Sequence, residues 1–118
     1  MSVDPVAIAS ACFKAWKAKD YEALRALLSD EVAVYGPLGI AVTADQCIAA
    51  LKGLRQLLTD IVILKMLVDG DDVLTWFELH TSVAPPAPMA SWSRVEDGEI
   101  TRTRVTFDPR DLIAGQGR

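Results

Sequence analysis

The amino-acid sequence predicts an α+β domain in which helices from the first half of the chain lie on a sheet built mainly by the second half. Between Ile61 and Phe107 three or four strand patterns follow one another with almost no helix signal. Within that stretch Val73, Thr75, Phe77, Leu79 and Thr81 alternate with Leu74, Trp76, Glu78, His80 and Ser82, the period of two that sends successive side chains to opposite faces. Upstream, apolar residues recur at helical spacing in three stretches that need a sheet to lie on. At 118 residues the chain is large enough for one core and too small for two.

The first helix starts at Asp4-Pro5, where a carboxylate can accept from open N–H groups and proline at the first helical position loses nothing. It runs to about Lys19, with Val6, Ala9, Phe13 and Trp16 on the apolar side and Cys12 beside them. Asp20 caps a shorter helix whose buried stripe is Leu24, Leu27 and Leu28, ended by Ser29-Asp30. Glu31 to Gly36 reads as a strand, closed by the turn Gly36-Pro37-Leu38-Gly39. Thr43-Ala44-Asp45-Gln46 has capping-box form and opens a third helix through Ile48, Leu51, Leu54 and Leu58. Gly53 within it suggests close packing at that point.

Ile61 to Val68 is a β-branched strand, and Asp69-Gly70-Asp71-Asp72 is a hairpin turn. Three prolines in Ala84-Pro85-Pro86-Ala87-Pro88 confine that segment to a connection or an edge. Met89 to Val95, the turn Glu96-Asp97-Gly98-Glu99, and Ile100 to Phe107 form the last hairpin. Residues 1–110 are then a single domain of about five strands and three helices, and residues 111–118, rich in glycine and charge, are expected to be a flexible tail.

Composition narrows the function classes. Hydrophobic residues are 51% and charged ones 24%, as in an ordinary globular chain. A net charge of −4 argues against nucleic acid or an anionic membrane surface as a partner. No run of 18 apolar residues spans a bilayer, and Met1-Ser2-Val3-Asp4-Pro5 lacks signal-peptide character, so a cytoplasmic location is the default. Cys12 and Cys47 lack metal-type spacing and read as buried thiols. With no phosphate loop, metal cluster or nucleophile elbow, neither a cofactor nor a metal is expected.

The order helix, helix, strand, helix, then antiparallel strands resembles the nuclear transport factor 2-like superfamily, in particular its SnoaL-like and ketosteroid-isomerase-like members. The likeness rests on Ala15-Trp16-Lys17-Ala18-Lys19-Asp20-Tyr21-Glu22-Ala23-Leu24, on Val34-Tyr35-Gly36-Pro37-Leu38-Gly39, and on the Glu96-Asp97-Gly98-Glu99-Ile100 turn leading to Phe107-Asp108. The resemblance implies a cone-shaped half barrel whose concave side is closed by helices around a mostly apolar cavity, and frequent homodimers formed through the sheet. It also places the isomerase's carboxylate base on Gly36, its helical tyrosine on Cys12 and its protonated acid on about Ser91. None of these residues can do those jobs. The inward position used by epoxide-hydrolase relatives on the last strand is Val105.

Strand parity assigns the faces. Inward are Val32, Val34 and Gly36; Phe77, Leu79 and Thr81; Met89, Ser91, Ser93 and Val95; and Thr103, Val105 and Phe107, with Cys12 and Trp16 added from the first helix. Candidate ligand-binding residues are therefore Cys12, Trp16, Phe77, Ser91, Ser93, Thr103 and Phe107. Tyr35 joins them if its hydroxyl leans over the cavity mouth, although its parity is outward. Asp108 is the candidate catalytic base, at the strand end nearest the mouth, or else a turn-capping partner of Arg110. His80, the sole histidine, falls outward.

The outward face collects Trp76, Glu78, His80, Trp92, Arg94, Arg102 and Arg104, a composition suited to an interface. A two-fold homodimer through it is expected, with Glu78 answering Arg94 or Arg104. Two function classes then compete: a pocket for a small lipophilic molecule, or an isomerase, cyclase or hydrolase of SnoaL-like type using an unusual acid or base such as Asp108. A dimer with a filled cone is a third.

Overall fold

A computed structural model describes residues 4–116, so Met1–Val3 and Gly117–Arg118 lie outside it. The elements run α1 (Pro5–Lys17), α2 (Tyr21–Ala26), β1 (Leu28–Gly36), β2 (Gly39–Ala41), α3 (Ala44–Gly53), β3 (Leu58–Asp69), β4 (Asp72–Thr81), β5 (Ala87–Glu96), β6 (Glu99–Thr106) and α4 (Arg110–Gln116). The strands form one mixed sheet in the order β2-β1-β6-β5-β4-β3. All pairs are antiparallel except β1 with β6. Register shifts in β1, β3 and between Arg94 and Val95 mark bulges, which bend and twist a sheet. The helices α1 and α3 pack on the concave side that results.

The caps form where the residues ask for them. Asp4 accepts from Val6 N at 3.0 Å, Asp20 from Ala23 N at 3.1 Å and Thr43 from Gln46 N at 3.1 Å. Gln46 Oε1 reaches back to Val42 N at 2.9 Å, one residue before the box's usual partner. At the β5–β6 hairpin Asp97 and Gly98 both have positive φ, 52° and 77°. This pair of left-handed residues matches the strands' twist and locks Glu96 opposite Glu99.

Several boundaries depart from the sequence expectation. There are six strands instead of about five, because the three residues Gly39–Ala41 pair back onto β1. Ser29-Asp30 does not end a helix: Leu28 already opens β1 and pairs with Ile100, while the Arg25 guanidinium holds Asp30 at 2.7 Å and Asp45 at 3.0 Å. The third helix stops at Gly53, and Leu58 begins β3 opposite Thr81. A Cβ on Gly53 would meet nothing within 4 Å, so the expected close packing there is not present. Ala87-Pro88 extends β5 against β4 only, beyond the last β6 pairing at Ala90, where proline's missing donor costs no β6 bond.

Of the expected tail, residues 111–118, Gly117 and Arg118 lie outside the described residues. Residues 110–116 form α4, its Leu112 buried against the domain, and Gly115 brings the helix against Val83. No helix among the described residues is long and apolar enough to cross a membrane.

The buried side chains divide into two clusters. One gathers Ala15, Leu24, Leu28, Val32, Ala44, Ile48, Val95 and Ile100; the other gathers Leu58, Ile61, Phe77, Leu79 and Met89. Trp16 packs against both.

Candidate functional site

Parity places alternate residues of β4 and β5 toward the helices, and Phe77, Leu79, Met89, Ser91, Ser93 and Val95 are all buried there. Between these strands and α1 remains a cavity of about 140 Å³. Its α1 wall is Cys12, Phe13 and Trp16, spaced so that one helix face presents all three. The sheet wall is Phe77, Ser91, Ser93, Thr103 and Val105, and α3 closes the side with Cys47 and Leu51.

The three aromatic rings hold one another. Phe13 meets Phe77 edge-on with centroids 4.9 Å apart, and Trp16 meets Phe77 at 6.1 Å and 76°. Edge-to-face contacts of this kind fix ring planes beyond what area burial alone does. Opposite them, the Ser93 and Thr103 hydroxyls hydrogen-bond across the β5–β6 pair at 3.0 Å.

The cavity wall carries no carboxylate, imidazole, ammonium or guanidinium among the described residues. Its only ionisable groups are the two thiols. Burial pushes the Cys12 thiol up to about 12, with the neighbouring Cys47 adding to the shift, and burial raises Cys47 too. At pH 8 a thiol of that acidity is thiolate in about one molecule in ten thousand, and the thiolate is the nucleophile. Iodoacetamide at pH 8 should therefore label both cysteines, which are half-buried, far more slowly in the native protein than in urea, read by intact mass. Rapid labelling of the folded chain would contradict the burial.

The structure brings Cys12, Trp16, Phe77, Ser91, Ser93 and Thr103 together around one cavity. Three other candidates stand elsewhere. Tyr35 follows its parity outward, its ring lying under the Arg104 guanidinium at 5.0 Å. Phe107 lies past the end of β6 and packs on the second core cluster, not on the cavity. Asp108 is exposed and paired: the Arg110 Nε lies 2.9 and 3.0 Å from its two oxygens, and the Arg110 backbone N–H donates at 3.1 Å. The guanidinium, then that backbone donor, holds its carboxyl down to about 2. A general base needs the opposite shift.

His80 faces outward and bonds Glu78 at 3.1 Å. Sequence reasoning overlooked Phe13, Cys47 and Leu51 as wall residues. The signal for the last two was their i, i+4 spacing on α3. Among the described residues no three His, Cys, Asp or Glu side chains cluster in a way that could hold a metal ion.

The charged residues expected to join two copies also have partners within the chain. Arg94 is held within the chain by Asp72 at 3.2 Å and Glu96 at 2.8 Å, and Arg102 lies over the Trp92 ring at 5.3 Å. Glu78 is taken by His80.

Comparison with known proteins agrees with this architecture. The model of the SnoaL-like domain family matches residues 9–103. No curated protein matches the chain. Among solved structures, an NTF2-like protein of unknown function from Cytophaga hutchinsonii superposes with a TM-score of 0.84 at 20% identity, over 96% of this chain and 97% of that one. An LEH-like epoxide hydrolase from M. tuberculosis gives 0.79 at 21% identity, over 94% and 87%. A protein of ketosteroid isomerase-like fold from Catenulispora acidiphila, in complex with trimethylamine, gives 0.76 at 21% identity, over 93% and 92%. Identities this low carry the fold alone.

Proposed function

The chain belongs to the SnoaL-like domain family, and from that premise we propose that it binds a small, mostly apolar molecule in the cavity between α1 and the sheet. The observation that carries this reading is a cavity of about 140 Å³ walled by three aromatic rings, hydroxyls and protonated thiols, without an ionised group. Drug-sized ligands occupy roughly 300 Å³ or more, whereas an apolar cavity of about 150 Å³ stays dry and takes up benzene. The ligand is therefore about the size of a six- to eight-atom ring or short chain. The trimethylamine held by the Catenulispora structure lies in the same size class, smaller still.

The alternative is SnoaL-like catalysis, supported by the epoxide-hydrolase neighbour. It loses ground because Asp108, its intended base, sits outside the wall with Arg110. Chemistry here would have to come from holding a reactive substrate in shape.

Binding is tested by thermal melting and ligand-observed NMR with benzene, toluene and cyclohexanone. A ligand at a hundredfold excess over its Kd should stabilise the fold by about 2.7 kcal/mol. No shift in melting temperature up to the solubility limit of all three probes would count against the reading.

We also propose that two copies pair through the convex face. Its apolar centre is Leu67, Leu74, Trp76 and Trp92, which are between 39% and 58% exposed. They are contiguous, since Leu74 lies opposite both Leu67 and Trp92 in the register. Because the arginines nearby are engaged within the chain, the apolar patch and not cross-copy ion pairs supports the association. Trp92→Glu should elute as a monomer from a sizing column on which the parent elutes as a dimer. Identical elution volumes would reject it.

A further inference from the structure

Beyond Trp16 lies a second void of about 10 Å³, roofed by α4. Trp16 and Leu51 belong to both walls, so the indole is the partition between the two spaces. The rest of the small chamber is hydrocarbon, including Leu58, Leu79 and Leu112, with one exception: Thr81 at the end of β4. Its Oγ1 is buried and has no hydrogen-bond partner in the protein. Buried hydroxyls are nearly always partnered, and an orphan of this kind asks what fills its place. Two of the three hydroxyls of the main cavity are in a different condition, since Ser93 and Thr103 already bond one another.

We propose that the two spaces are one binding site in two compartments, suited to an elongated, mostly apolar molecule with a single hydroxyl or carbonyl at one end. The apolar body lies in the main cavity against Phe77 and Cys12. The polar end passes the Trp16 indole and hydrogen-bonds Thr81 Oγ1 beneath α4. Trp16 is the residue that sets ligand length: its neighbours Phe13 and Phe77 stand 6.2 and 6.1 Å away, centroid to centroid. In its present position the chamber has room for about one water, so the longer ligand requires the indole to turn or Leu112 to withdraw. This inference rests on the ligand-binding reading and names the ligand's shape and polar group.

The test is a series of straight-chain alcohols from 1-butanol to 1-decanol, titrated by calorimetry into the full chain and into Thr81→Val and Trp16→Phe. Thr81→Val keeps the side chain's shape and replaces the hydroxyl by a methyl group. It should weaken the long alcohols about fivefold, the worth of one neutral hydrogen bond, and leave 1-butanol within about twofold. Trp16→Phe should shift the best-bound chain by two or three carbons toward longer alcohols. If Trp16→Phe does not fold, Thr81→Val decides alone. Alcohols that bind the parent but lose affinity equally at every length, or not at all, in Thr81→Val overturn the second compartment and leave the single cavity standing. No binding at any length overturns both.

Discussion

Phe77→Ala should lower the free energy of unfolding by about 3–5 kcal/mol, toward the upper end of that range. Phe77 is 1% exposed, belongs to the second core cluster and supplies the edge contacts that hold Phe13 and Trp16. Truncation removes its transfer energy and also joins the vacated volume to a cavity that is already open. The side chains around the cavity are held by three helices and four strands and cannot close over both. With a urea slope of about 1–2 kcal/mol per molar for a domain of this size, the midpoint should fall by roughly 2 M or more. The enlarged cavity should also accept probes bulkier than toluene. A loss below about 1 kcal/mol would mean that the ring is not central to the core.

Gly115→Ala poses opposing effects whose magnitudes decide the sign. Helix propensity alone favours alanine by about 1 kcal/mol. Against it, the new Cβ would lie 2.5 Å from the Val83 carbonyl oxygen and 2.8 Å from Val83 Cβ. Backbone cannot give way as the end of a long side chain can, so overpacking of about 1–3 kcal/mol outweighs the propensity gain. The net result should be destabilisation of up to about 2 kcal/mol and a fall in melting temperature of roughly 4 °C per kcal/mol. The loss should be concentrated in α4, with faster hydrogen exchange at residues 110–116 and release of Leu112. A rise in melting temperature would show that α4 does not dock against Val83, and the chamber beneath it would lose its roof.

Both results turn on elements that differ in how far they could be read from residues. Phe77 was legible as an inward residue because strand alternation is a local property: once β4 is a strand, five positions on each side are assigned. The same rule put Tyr35 outward, and its ring does stand under Arg104. The rule lapses where the strand ends. Phe107 and Asp108 follow Thr106, the last residue of β6, and neither reaches the cavity wall. Residues 111–118 read as a frayed tail because they are rich in glycine and charge, and the seven residues of α4 could not sustain a helix alone. Burial of Leu112 and the approach to Val83 make it one.

By itself the chain's residue order determined the class, the caps at Asp4, Asp20 and Thr43, the hairpin turns, the two faces of the central strands and the lack of a carboxylate at the first strand's end. Those are consequences of spacing and backbone preference over a few residues. Tertiary structure alone decided that α3 faces the cavity with Cys47 and Leu51, and that Trp16 divides a larger space from a smaller one under α4. Each of these depends on which distant segments meet, and that is settled by how two apolar clusters and a bent sheet close on one another.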